Sequence, residues 1–257
     1  MEKEKTQPKE ATAPKISSIE DLFRKAVELY KKCYQTILGL MLIGVLTVLP
    51  MIVVAALLFV TVALVGGEPN TFLMLFSGVL AVVLFLAIIY ISVSAQAGTF
   101  LYFKKSEPQK GVFSIFNKAR KNYFWPFLWL HILAAIILMV GFMLLIVPGI
   151  ILLVYFSLIS WVLIFEDTQG FEAIKRSTNL VRGYWWAIVG RFLAVYIPVY
   201  IVGALPAMVF EQGPALQFTN FLFQILFFLI TPFFIAYHYL IYKDLVKIKT
   251  KSQKKVS

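Results

Sequence analysis

Residues 149–165, GIILLVYFSLISWVLIF, carry no charge, and this run constrains the chain more than any other feature. As a helix, 17 residues at 1.5 Å each reach about 26 Å, close to the hydrocarbon thickness of about 30 Å. Lipid offers no partner for backbone N–H and C=O groups, so such a run reads as a transmembrane helix. Glu166, Asp167, Thr168 and Gln169 then end the apolar pattern, and Thr168 or Asp167 is the expected cap of a new helix. In that helix Phe171, Ile174, Leu180 and Val181 recur at spacings near 3 and 4, while Lys175, Arg176 and Arg182 fall elsewhere. The pattern predicts a surface helix with its apolar side in the headgroups. Tyr184, Trp185 and Trp186 mark re-entry, because amphipathic rings sit at the interface.

The rest of the chain repeats this grammar. Hydrophobic residues make up 60% of the 257 and charged residues 14%, beyond the roughly 45–50% apolar share of soluble domains. Apolar spans are expected at about 37–65 (with Pro50 inside), 71–103, 123–147, 149–165, 184–210 (with Pro198 and Pro206) and 215–242. Residues 1–15, rich in Lys, Glu, Pro and Thr, read as a disordered tail, and 244–257 as a flexible basic tail. Between these tails, 16–243 forms one membrane domain. Ile19, Leu22, Phe23, Ala26, Val27, Leu29 and Tyr30 make an apolar stripe, with Ser17 and Glu20 in capping-box spacing. Val112, Phe113, Ile115 and Phe116 suggest another half-buried helix, with Lys118, Arg120 and Lys121 toward water. Pro148 and Gly149 read as the turn between the third and fourth spans. The expected fold is an all-α integral membrane protein with six transmembrane helices in three hairpins, each hairpin preceded by a cytoplasmic-side amphipathic interfacial helix. Placing Gly39 over Gly190 sets Arg24 and Lys25 over Lys175 and Arg176, and Tyr34 over Trp185. That register fits a repeated unit, and equally what any interfacial helix entering a membrane looks like.

Charge orients the spans. Of 24 Lys and Arg residues, 8 precede the first span, 6 lie between the second and third, 3 between the fourth and fifth, and 6 follow the sixth. Arg191 is the one left over. The opposite loops contribute only Glu68 and Glu211, so the positive-inside rule places both termini in the cytoplasm and the chain in the cytoplasmic membrane. The net charge of +11 is then explained by orientation and anionic lipid rather than by nucleic acid. A single cysteine, Cys33, excludes an internal disulfide and reads as a packing residue. The first 36 residues hold no apolar core followed by a cleavage site, so the first span is expected to be an uncleaved anchor.

Catalysis within a membrane needs ionisable groups there, and every Asp and Glu lies in a tail or loop. His131 and His238 have no zinc-type spacing, and no glycine-rich phosphate loop is present. The expectation is a non-enzyme without cofactor or metal. Glu166 and Asp167 read as a solvated cap and hinge, and Arg176, Arg182, Tyr184, Trp185 and Trp186 as an interfacial basic and aromatic belt. Four polar groups lie within spans at similar distances from the cytoplasmic ends: Gln96, His131, Arg191 and His238. Either Arg191 snorkels while the others make interhelical hydrogen bonds, or the four line an inward-facing pocket in which Arg191 pairs a lipid phosphate.

Pro148-Gly149-Ile150, Glu166, Gly170, Ala173, Arg176-Ser177, Leu180 and Arg182-Gly183-Tyr184-Trp185-Trp186 together resemble the signature of a bacterial and archaeal membrane family. It comprises the membrane domain attached to some glycerophosphodiester phosphodiesterases and the stand-alone YciC-like proteins. The resemblance implies a six-span helical membrane domain and a link to phospholipid metabolism. It implies no activity, because the phosphodiesterase chemistry belongs to a separate soluble barrel for which this chain has no room. The functional expectation is a non-enzymatic membrane protein that binds or organises phospholipid, or a lipid-like molecule, at the cytoplasmic leaflet. A transporter of a small or lipidic substrate, or a scaffold recruiting a protein partner to the basic face, are the alternatives. Anionic membrane lipids are the expected partners, and self-association stays open.

Overall fold

The structure, a computed structural model, describes residues 16–64, 71–104, 111–209 and 212–254. Its helices are α1 (Ile19–Leu46), α2 (Leu49–Leu64), α3 (Thr71–Leu101), α4 (Val112–Leu144), α5 (Ile146–Phe156), α6 (Ile159–Glu166), α7 (Gly170–Val181), α8 (Trp185–Val209) and α9 (Pro214–Lys254). No strand occurs among the described residues. Six helical runs are long and apolar enough to cross a membrane: Ile19–Ala56, Leu75–Leu101, Val112–Leu144, Ile146–Glu166, Trp185–Met208 and Pro214–Lys251. The fold is therefore all-α and fits a multi-pass membrane protein. The expected tail at 1–15 and the loops holding Glu68 and Glu211 lie outside the described residues.

Local chemistry moves several boundaries. Ser18, not Ser17, caps α1, its hydroxyl accepting the Asp21 N–H at 3.2 Å. The amphipathic segment after it is no separate interfacial helix, because α1 runs unbroken to Leu46. Residues 30–37, where the stripe meets the apolar run, hold no glycine or proline to interrupt the backbone ladder, so the helix simply continues. A break comes at Thr47–Val48, where the Thr47 hydroxyl donates to the Gly44 carbonyl at 2.6 Å. Pro50 then sits in the first turn of α2, where its missing N–H has no intrahelical partner to lose. In the same way 112–122 is continuous with the third span in α4. Pro126 deprives only the carbonyl of exposed Asn122.

The turn between α4 and α5 is Leu145, in extended geometry (φ −164°, ψ 154°), rather than Pro148-Gly149. Proline is as acceptable in a helix's first turn as in a loop, and Pro148 occupies that turn of α5. Gly149 is instead a packing residue: a Cβ there would run into the Phe142 ring. From 244 to 254 the chain is not the flexible tail expected there; 255–257 lie outside the described residues. Leu245 and Ile248 are buried and keep the helical spacing, so α9 extends to Lys254.

The helix at 170–181 forms as expected, but its apolar side does not face headgroups. Ala173, Ile174, Ser177, Leu180 and Val181 are buried, with α4, α5, α6 and α9 packed around the helix, while Phe171 points out. Small residues at 173 and 177 allow close approach, and the Ser177 hydroxyl donates to the Tyr155 carbonyl at 2.6 Å.

Around this insert α1 packs on α9 and α3, α3 on α4, α4 on α5, and α8 on α9 and α5. The core centres on Trp161, 1% exposed, with ring centroids of Phe100, Tyr239 and Phe103 at 4.7, 5.4 and 5.6 Å. In α1, α3, α8 and α9 burial is confined to one end, while α4 and α5 also bury Gly141 and Gly149 against each other near their turn. Burial stops at Leu40 in α1 and Val195 in α8, and starts at Ser94 in α3 and Pro232 in α9. Among the described residues the exposed Lys and Arg side chains belong to that same end.

Candidate functional site

Arg191 lies one and a half turns into α8, where a bare guanidinium needs acceptors. It finds them on the backbone. Nη2 donates to the carbonyls of Ser17 (2.6 Å) and Ile16 (3.0 Å), Nε to Ser17 (3.2 Å) and Nη1 to Ala187 (2.7 Å). The Ser17 N–H in turn donates to the Asp244 carboxylate at 3.1 Å, and the Tyr237 hydroxyl to the Arg191 carbonyl at 3.3 Å. The two residues that lead into α1 are thus held between α8 and α9. This geometry is a clamp on a chain segment, not an open anion pocket. The sequence marked Arg191 but could not mark its acceptors, since backbone carbonyls leave no residue signature. Asp244, a lone acid among six C-terminal lysines, was the available hint.

The other three in-span polar residues do not join it. His131 places Nδ1 2.8 Å from the Phe127 carbonyl. That nitrogen must therefore donate, leaving Nε2 to accept from the Ser160 hydroxyl at 3.3 Å, a bond from α6 to α4. His238 likewise directs Nδ1 to the Phe234 carbonyl at 2.8 Å, with its ring 4.6 Å from that of Phe192. Gln96 is exposed. None of the four hydrogen-bonds another, and only His131 makes the interhelical side-chain bond that the plainer expectation assigned to all three neutral groups.

A second polar centre forms where α6 gives way to α7. Asp167 adopts a left-handed conformation (φ 51°, ψ 30°) that turns the chain, and α7 is capped from Gln169 without a side-chain bond. The two adjacent carboxylates point to different neighbours instead of capping. Glu166 accepts from Arg176 Nε at 2.7 Å and from the Tyr242 hydroxyl at 3.2 Å. Asp167 accepts from Lys104 Nζ at 2.8 Å and from the Tyr123 hydroxyl at 2.9 Å. One turn thereby ties together α4, α7, α9 and the residue leaving α3. The Lys104 hydrogen bond, helped by Tyr123, holds the Asp167 carboxyl below its ordinary range. For Lys104, burial pulls its ammonium down, but bonds to Asp167 and Tyr123 outweigh it and the value is raised.

Of the expected interfacial belt, Arg176 is engaged with Glu166, and half-buried Trp185 donates its indole N–H to the Ile151 carbonyl at 3.3 Å. Arg182 is exposed and Trp186 is 79% exposed, with Lys249 set 5.7 Å from the centroid of the Tyr184 ring. Among the described residues no group of three or more His, Cys, Asp or Glu side chains could hold a metal ion. In comparisons with known proteins, a family described as a domain of unknown function (DUF7847) matches residues 127–245, from the middle of α4 into α9. No curated protein and no solved structure matches.

Proposed function

We propose that the chain works without catalysis, as a membrane protein whose basic end faces the cytoplasm and holds anionic phospholipid at its surface. The observation that carries this reading is the segregation of charge: 23 of 24 basic residues flank the spans on one side. At that end exposed cations such as Lys25, Lys175 and Arg182 stand among exposed rings such as Phe23, Phe113, Phe171 and Trp186. A cation supplies attraction to an anionic leaflet of about 1 kcal/mol each, and an interfacial ring fixes depth. Because Arg191 is engaged with backbone carbonyls, lipid is met at the periphery and not in a pocket around that residue. The resemblance to the membrane domain of glycerophosphodiester phosphodiesterases supports a setting in phospholipid metabolism.

The test is native mass spectrometry of the purified protein offered phosphatidylglycerol or phosphatidylcholine. Preferential retention of phosphatidylglycerol is expected, reduced when Lys175, Arg182, Lys247 and Lys251 are changed to Gln and weakened further by salt. Equal retention of the two lipids would overturn the proposal.

A further inference from the structure

We infer that Arg120 and Tyr90, in the groove between α3 and α4, form a discrete binding site for a phosphate group, that of an anionic lipid headgroup. The inference rests on the lipid reading above and gives it a location. Every other described arginine is accounted for: Arg24 pairs with Asp21 at 3.1 Å, Arg176 with Glu166, Arg191 with backbone carbonyls, and Arg182 is exposed. Arg120 differs. It is half-buried, none of its donors meets an acceptor among the described residues, and its Nε is fully buried without a partner. Its guanidinium carbon lies 6.0 Å from the centroid of the Tyr90 ring, which Phe124 holds edge-on at 4.5 Å.

A half-desolvated cation without an anion is unfavourable, and a ring face offsets only part of that cost. With Nε covered, the terminal nitrogens are the donors left for a ligand, and a guanidinium packed on a ring is pre-oriented for phosphate oxygens. Tyr90 is 37% exposed, so the groove is open beside it. Lys121 is exposed at the next position, and Trp125, one turn along α4, is a large exposed ring of the kind found at headgroup depth.

The experiment uses the full chain in detergent micelles with phosphatidylglycerol, phosphatidylcholine or inorganic phosphate. It reads lipid retention by native mass spectrometry, and the rate at which an arginine-selective dicarbonyl modifies Arg120 and Arg182. Phosphatidylglycerol is expected to slow modification of Arg120 by about tenfold and leave Arg182 unchanged, with Arg120→Gln binding it about tenfold more weakly and Arg120→Lys in between. Protection by phosphatidylglycerol alone assigns a lipid. Protection by inorganic phosphate as well supports the same chemistry with free phosphate as a second source. Unprotected Arg120 in a protein that still retains phosphatidylglycerol overturns the site and leaves the lipid reading standing. Wild-type protein that retains phosphatidylglycerol no better than phosphatidylcholine overturns the lipid reading itself. If Arg120→Gln does not fold, the modification rates on the wild-type chain decide.

Discussion

The two ends of the helix bundle are both rich in apolar residues and hold together very differently. At the basic end, side chains of different helices are buried together and tied by hydrogen bonds: Tyr102 to the Lys32 carbonyl, Ser177 to that of Tyr155, Tyr242 to Glu166, Arg191 to Ser17. At the opposite end, α3 before Ser94, α8 after Val195 and α9 before Pro232 bury none of their described residues. There α8 and α9 close on each other where Gly203 faces the Phe223 ring. Beside that contact lies an apolar crevice of about 440 Å³ lined by Val199, Tyr200, Ala204 and Phe227. Hydrophobicity explains neither end. Lipid tails are as apolar as leucine, so apolar side chains gain little by leaving lipid for each other. Helices associate where rings and small residues interlock and where polar groups need partners, and this chain concentrates both at its basic end.

The sharpest way to break that contrast is to remove a large side chain from each end. Trp161→Ala, at the centre of the ring cluster, is expected to destabilise by about 3–5 kcal/mol. Met208→Ala, on a side chain 80% exposed, should stay within about 0.5 kcal/mol. Unfolding of each variant in one defined detergent compares them, and a Met208→Ala loss matching that of Trp161→Ala would mean the opposite end is packed after all.

Arg191 sharpens the contrast at the level of a single polar residue. Arg191→Gln removes several charged hydrogen bonds to Ile16 and Ser17, a loss of about 1.5–3 kcal/mol. Hydrogen exchange should rise in the first turns of α1, whose entry the clamp fixes. Arg191→Lys should recover part of the protection, since an ammonium lacks the fork that reaches two successive carbonyls. Phosphatidylglycerol retention should not change. A fall in retention in the folded Arg191→Gln variant would restore a lipid pocket at this residue.

How far the sequence could be read follows from the same physics. Long apolar runs, set apart by charge or, between the third and fourth, by Pro148-Gly149, marked the six spans, because a charge in hydrocarbon is costly enough that a long stretch with few or none is informative. The amphipathic stripes of α1, α4 and α7 were equally legible as stripes, but not as to what covers them. Ala173, Ile174 and Leu180 would look the same facing headgroups or α5, and only Ser177 within the stripe hinted at a protein neighbour. Pro148 and Gly149 read as a turn because proline serves loops and first helical turns alike. Among the polar residues, Arg191 stood out by position while Arg120 looked like its neighbours Lys118 and Lys121. Tyr90, 30 positions earlier, is brought beside it only by the packing of α3 on α4.

The smallest expected effect tests whether the hinge at Glu166–Asp167 stabilises the basic end by charge or by shape. Asp167 is 64% exposed, so its ion pair with Lys104 should contribute at most about 1 kcal/mol. Its left-handed backbone adds a separate requirement, which Asn meets about as well as Asp and Ala does not. Asp167→Asn therefore isolates the charge, and Asp167→Ala adds backbone strain and should lose more. The pH dependence has a definite sign. A carboxyl held below its ordinary value contributes stability at neutral pH that disappears as pH falls through the folded value, in the region of about pH 4 and below. Lys104, held above its ordinary value, contributes stability that disappears only as pH rises through that raised value, on the far alkaline side. Between the two the pair is flat with pH. The wild-type unfolding midpoint should accordingly fall toward acid by slightly more than that of Asp167→Asn, with the two curves parallel near neutrality. Curves that stay parallel through the acid range would assign the acid sensitivity to other carboxylates and leave the turn's left-handed shape as the whole of what Asp167 supplies.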